Sequence, residues 1–340
     1  MKHTLTLLSA IALLSTAAQG QRNLEVGIAP GVVHYYGDLG NYDGSVQWNS
    51  ARPGLMVTFR DFLPNHRKYV TRSLTTEVRL NWLRVGYDER ASVKGMDYAD
   101  LRNYKRGLGF RNDMFGVSSH LVLNAYREPY QPLFQQRFFM YFHVGLGVYY
   151  GRPKADLFNG APDTLNRYHF WDDGTVRNGP QSDPSARVIE RDGKYETDLY
   201  EWQTEGGVGA GEAGRRYRIS PWHIGIPVGA GVRYMVTKQV SIGMELSYIM
   251  FTNDHVDDVS DRYATYGEID AAYPGDARAQ SLARYISDPT GYGTDGTISY
   301  ITSRRGNPGL LDTISFLNFE VSYKFKRGAG RRSFLSLKRD

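Results

Sequence analysis

Residues 313–325 read TISFLNFEVSYKF, and from Leu317 onward they alternate. Leu317, Phe319, Val321, Tyr323 and Phe325 fall on one parity, and Asn318, Glu320, Ser322 and Lys324 on the other. A period of two is a β-strand with an apolar face and a polar face. In a soluble, half-buried strand the apolar face would meet a core. Here the polar parity holds a carboxylate and an ammonium, and the apolar parity ends in an aromatic pair. That pattern also suits a strand whose outside meets lipid and whose inside meets a packed polar lumen.

Seven earlier stretches repeat the pattern. Leu24, Val26, Ile28 and Val32 alternate with Glu25, Gly27, Ala29 and Gly31, and Leu55, Val57 and Phe59 with Met56, Thr58 and Arg60. Leu74, Thr76, Val78, Leu80 and Trp82 oppose Thr75, Glu77, Arg79 and Asn81. Similar runs begin near Phe115, Phe138, Trp222 and Val240, most with the ten or so residues that a tilted outer-membrane strand needs. The connections sort by parity. They are short between strands 2 and 3, 4 and 5, and 6 and 7, and long elsewhere, with 151–221 and 252–312 the longest. A soluble sandwich has no reason to sort its loops this way, whereas outer-membrane barrels pair short periplasmic turns with long extracellular loops. The expected fold is therefore all-β, an antiparallel eight-stranded transmembrane β-barrel with long extracellular loops, or ten-stranded if a weak hairpin hides in one of them.

Composition agrees. Residues 1–20, MKHTLTLLSAIALLSTAAQG, have the basic start, short apolar run and small-residue ending of a secretory signal peptide. The barrel is expected over 21–325 and a basic periplasmic tail over 326–340. The chain has no Cys, 25 Tyr and 37 Gly. It is therefore expected to carry neither a disulfide framework nor a lipid anchor on cysteine. With a mean hydropathy of −0.47, no apolar helical span is expected after the signal. An exported, Tyr- and Gly-rich chain points to the outer membrane of a Gram-negative bacterium, with lipid as its first partner. The formal charge of +5 is spread thinly, and no nucleic-acid partner is expected.

The polar parities place Glu77, Arg79, Arg233, Glu245, Glu320 and Lys324, with His120 and His143, in the lumen. Charges confined there must pair, because an unpaired buried charge is costly. The expectation is a plugged barrel, with Gly145, Gly147, Gly229 and Gly231 making room for large neighbours, and not a porin. Asp254, Asp257, Asp258 and Asp261 lie close together beside His255, an oxygen-rich set of the kind Ca²⁺ takes, but their spacing is not that of an EF-hand. A turn or short helix with Asp258 paired to Arg262 is the plainer expectation. Gly209, Gly211 and Gly214 form a G-x-G-x-x-G without the preceding strand of a nucleotide-binding unit, so they are expected to be loop. No catalytic motif stands out, and neither cofactor, metal nor small-molecule substrate is expected. His34 and Asp38 are the weak candidates for an enzyme acting at the barrel rim.

Three segments resemble the PorG-like outer-membrane barrels: 31–39 (GVVHYYGDL), 251–260 (FTNDHVDDVS, holding Asp254, Asp257, Asp258 and Ser260), and 305–308 (RGNP) with Asp312 before the last strand. They run from the first strand to the last, so the resemblance covers the barrel. It implies a non-enzymatic component of the type IX secretion and gliding machinery that anchors periplasmic ring proteins, PorK- and PorN-like, to the outer membrane. Tyr323 and Phe325 would then be the closing strand's insertion signal. Arg67, Lys68 and Arg72, with Arg331 and Arg332 in the tail, are the expected periplasmic contacts. A generic small barrel of the OmpA or OmpX kind, serving envelope integrity or binding through its loops, is the alternative.

Overall fold

The computed structural model describes residues 23–40, 50–62, 73–89, 106–125, 137–171, 173, 175–202, 204–205, 219–293 and 305–326. The expected signal peptide at 1–20, the tail beyond Lys326, the five basic contact residues Arg67, Lys68, Arg72, Arg331 and Arg332, and the glycine run at Gly209, Gly211 and Gly214 lie outside these described residues.

Eight long strands make the molecule: β1 (Asn23–Tyr36), β2 (Arg52–Phe62), β3 (Leu74–Asp88), β4 (Gly109–Asn124), β5 (Phe138–Tyr150), β6 (Trp222–Met235), β7 (Val240–Phe251) and β8 (Thr313–Lys326). Each pairs antiparallel with its sequence neighbours, and β1 pairs with β8, from Leu24 opposite Phe325 to Tyr36 opposite Thr313. The sheet is thus closed and has no edge to leave unpaired. The two-residue strands Lys154–Ala155 and Thr197–Asp198 extend the sheet beside Arg111 of β4, outside the ring of eight. The count is eight, not ten.

The apolar parity faces outward. Leu146, Phe319 and Phe115 are 61%, 60% and 60% exposed, and they belong to a belt that runs around all eight strands. Such a surface is stable only against hydrocarbon, since each fully exposed side chain of this size costs roughly 1.5–3 kcal/mol in water. Aromatic pairs stand at both rims. Tyr150 and Trp222 meet edge to face at 5.0 Å at the long-loop end, and Tyr323 and Phe325 at 4.9 Å at the short-turn end. No helix among the described residues is long and apolar enough to cross a membrane.

The inward parity is polar for only part of its length. Along β3 it reads Thr75, Glu77, Arg79, Asn81 and then Leu83, Val85, Tyr87; along β8 it begins with Ile314 and Phe316 before Asn318, Glu320 and Ser322. The expected polar lumen is therefore corrected. Towards the long-loop end the barrel is filled by Val33, Met56, Leu83, Met114, Tyr149, Ile249, Ile314 and Phe316. This apolar plug continues into a folded cap made from the long loops, through Phe110, Leu157, Phe158, Phe251, Val256, Val259, Leu282 and Ile286.

Among the described residues the cap carries the short α-helices α1 (Leu199–Trp202), α2 (Tyr266–Ala272) and α3 (Ala277–Ser287). Thr265 and Glu268 form a capping box on α2, and Asp276 caps α3 by accepting from Ala279 N. Tyr285 on α3 donates to the carbonyls of Leu157 and Tyr168, both at 2.9 Å, tying the two longest loops together.

Candidate functional site

Two constellations dominate the interior, one in the membrane and one at the mouth. The first centres on Arg60. β2 points it inward on the same parity as Met56 and Thr58, and register sets it opposite both Glu25 of β1 and Glu77 of β3. Its guanidinium takes Glu25 at 2.9 Å, Glu77 at 2.6 Å and Glu320 at 2.5 Å. Arg79 pairs with Glu77 at 2.7 Å and with Glu245 at 2.6 Å. Arg233 reaches Glu320 at 3.4 Å and lies over the Tyr141 ring. Three guanidinium groups and four carboxylates are thus joined in one buried network.

Neutral groups finish the network. Thr58 donates to Glu320, Ser322 to Glu25, Tyr141 to Glu245 and Ser247 to Glu245, at 2.6–2.9 Å. His143 lies 3.1 Å from His120 and 3.3 Å from Glu245. A methyl on Gly231 would overlap the Tyr141 ring, and one on Gly27 would overlap the Glu320 carboxylate, so both positions need glycine for close approach. Glu77, Arg79, Arg233, Glu245 and Glu320 are brought together here, with His120 and His143 beside them. Lys324 is half-buried and registers opposite Glu25 of β1. Arg60, the hub, and Glu25 were missed. Their place on the inward parity of strands 2 and 1 was the signal that could have found them.

The second constellation gathers the three family-like segments. Asp38 accepts from Asn307 N at 2.9 Å, and Arg106 binds the carbonyls of Asp38 and Arg305 at 3.0 and 2.6 Å. Arg305 pairs with Glu205 at 2.9 Å and donates to the Asp258 carbonyl; Glu205 also takes Ser260 N and Oγ at 2.8 and 2.9 Å. Tyr35 donates to Asp257 and Asp312, and Asp312 accepts from Val256 N at 2.8 Å. Segments hundreds of residues apart thus lock the cap onto the barrel mouth.

The expected Asp258–Arg262 pair is not formed. Asp258 has φ +66, so the chain turns there and does not continue as a helix. Arg262 instead takes Glu268 at 2.8 Å. Both carboxylate oxygens of Asp254 are buried without a hydrogen-bond partner. Burial, then the nearby Asp38, Asp257 and Glu205, push that group up to about 9. Burial also raises Asp257 and Asp312, and for Asp312 the neighbouring Asp257 and Asp254 add to it. This is a set of carboxyls suited to holding protons. The carboxylate oxygens here do not converge within metal-ligand range of one another; among the described residues only Asp156, Asp192 and Glu196 do. His34 stands 3.5 Å from Ser50 Oγ and Asp38 serves Asn307, so each of the two rim candidates has a structural partner.

The closed ladder, the lipid-facing belt and the rim aromatics make this an outer-membrane β-barrel protein of Gram-negative type. No protein-family model and no curated protein matches the sequence. Among solved structures, the chain is similar to Neisserial surface protein A, at 10% identity over 89% of this chain and 97% of that one, with a TM-score of 0.33. It is also similar to the outer membrane protein OprG from Pseudomonas aeruginosa, at 9% identity over 91% and 98% of the two chains, with a TM-score of 0.33. A third is Ail of Yersinia pestis, at 7% identity over 90% and 99%, with a TM-score of 0.32. Likenesses this distant add nothing to what the barrel itself displays.

Proposed function

We propose that the protein is a non-enzymatic anchor of the type IX secretion and gliding machinery, a barrel that holds periplasmic ring proteins of the PorK and PorN kind at the outer membrane. The observation that carries this reading is the filled lumen. The Arg60 network below and the apolar plug above leave the barrel working as a fixed post rather than a conduit. The resemblance gains weight because its three segments meet in one buried junction, which gives their residues a common structural task.

Attachment is then a matter of two surfaces. The lipid belt fixes the barrel, and Arg67, Lys68 and Arg72, in the sequence between β2 and β3, with Arg331 and Arg332 after β8, are the proposed contacts for an acidic partner. The test is crosslinking and pull-down from intact envelopes. Periplasmic ring proteins are expected in the wild-type capture, and both capture and secretion should fall when Arg67, Lys68 and Arg72 are reversed to Glu. Unchanged capture and secretion, in a variant that still migrates as a folded barrel, would overturn the reading.

A second reading, surface binding through the loops, draws on the cap having a core of its own around Ile269, Ala283 and Ala264. Replacing the cap segment 252–293 by a short linker separates the two. Loss of surface binding with secretion intact favours the loops.

A further inference from the structure

Where the chain leaves β5 it runs out through Lys154–Ala155 and returns alongside through Thr197–Asp198. The pairing sets Asp156 beside the segment 192–196, DGKYE. Gly193 at φ +69 and Tyr195 at φ +52 coil that segment so that Asp192 and Glu196 face Asp156. One carboxylate oxygen from each of the three lies within 4.8 Å of the others.

Each carboxylate is held in place by one oxygen. Asp156 Oδ2 accepts from Gly193 N at 3.0 Å, and Glu196 Oε1 from Leu157 N, Phe158 N and Thr197 Oγ1 at 3.0, 3.0 and 2.8 Å. Asp192 Oδ1 accepts from Lys194 N at 3.1 Å. The remaining oxygens, Asp156 Oδ1 and Glu196 Oε2, are buried and have no hydrogen-bond partner, and Asp156 as a whole is only 7% exposed. Asp192 Oδ2 has the Lys194 ammonium at 3.0 Å, but that side chain is 70% exposed and approaches from solvent.

Like charges brought this close repel strongly in a partly buried site. Near neutral pH the arrangement is short of positive charge at the point where the three oxygens meet.

We propose that Asp156, Asp192 and Glu196 form a Ca²⁺ site on the extracellular cap. The donors are all hard oxygens with no His or Cys, which excludes the usual zinc and copper sets. Oxygens about 2.3–2.6 Å from a common centre span the separation seen here, and Ca²⁺ tolerates the irregular geometry of three carboxylates completed by water. A small cavity lined by Asp156, Asp88, Arg191 and Tyr195 adjoins the site and gives that water room. The segment is also tied to the barrel rim. Arg191 pairs with Asp88 of β3, and Arg111 of β4 lies 4.5 Å over the Tyr195 ring. An ion here would fasten the two arms of the longest loop and hold them against the barrel. This inference is independent of any periplasmic partner.

The experiment uses the full chain, folded in detergent and stripped with EDTA. Ca²⁺ is titrated by calorimetry, and protease cleavage within 151–205 is timed with and without it. One saturable site is expected, with a dissociation constant of about 10⁻⁵–10⁻³ M, together with slowing of cleavage by about tenfold or more. Asp156→Asn should abolish both effects. Asp192→Asn, at a half-buried position that leaves the cap core intact, should weaken binding by about tenfold or more. Binding and protection that are the same in wild type and both variants would overturn the site. So would protection that grows on acidification and ignores Ca²⁺, since the carboxylates would then be sharing a proton.

Discussion

Arg60 shows how much can hang on one inward side chain. Its guanidinium neutralises parts of three carboxylates that share the lumen below the apolar plug. Replacing it with Met keeps the volume but strands Glu25, Glu77 and Glu320. Loss of one partner of a buried ionic group costs about 3–5 kcal/mol. Urea unfolding in detergent, followed by the loss of the heat-modifiable folded band, should show a deficit of that size, with Arg60→Lys in between because a lysine cannot fork across several acceptors. At the mouth, Asp254 gives a pH signature. An unfolded aspartate titrates near 3.9, whereas the folded group is raised to about 9. Between those values the folded cap holds a proton that the unfolded segment has released. Its contribution to stability is therefore full below about pH 4, declines as pH rises, and is gone above about pH 9. Hydrogen exchange of residues 252–262 should quicken from pH 5 to pH 9 after correction for the intrinsic rate, and Asp254→Asn should flatten that trend.

At the scale of elements, alternation marked all eight strands, because lipid on one side and a filled lumen on the other impose it, but β3 runs on to Asp88 and β4 starts at Gly109, each well beyond the alternating residues. The closing contact of β8 with β1 suggests what its aromatic end does. Tyr323 and Phe325 are exposed to lipid, packed edge to face on each other and registered against Val26 and Leu24. Phe325→Ala should slow assembly of the folded form in a time course of insertion into vesicles while leaving the final unfolding midpoint nearly unchanged, since the side chain packs against no core. Gly231→Ala works the other way. It overfills the lumen against Tyr141 and should cost about 1–3 kcal/mol, read as a lower urea midpoint. The cap elements were not legible in the sequence. Their helices are short, their strands hold two residues each, and the partners of Asp258 and Arg262 come from Arg305 and Glu268 rather than from the spacing of the segment itself.

Taken whole, the molecule is a stoppered barrel with a lid. Reconstituted in planar bilayers it should give no stepwise conductance, in wild type or with the cap cut away, because the Arg60 network remains. Conductance appearing on cap removal alone would place the block in the lid. The alternating residues determined the eight strands, their outward faces and the presence of paired charges inside, since a period of two can be read without knowing which strand lies next to which. Only the closed structure decided which charges meet, because Arg60 finds Glu25, Glu77 and Glu320 through the register of β1, β2, β3 and β8. It also decided that Ile314 and Phe316, polar-parity residues of the stretch 313–325, begin an apolar plug. The same holds for Asp38, Asp257, Asp258 and Arg305, which share one junction. Pairing over such distances is fixed by where the backbone brings side chains together, and local sequence carries no record of that.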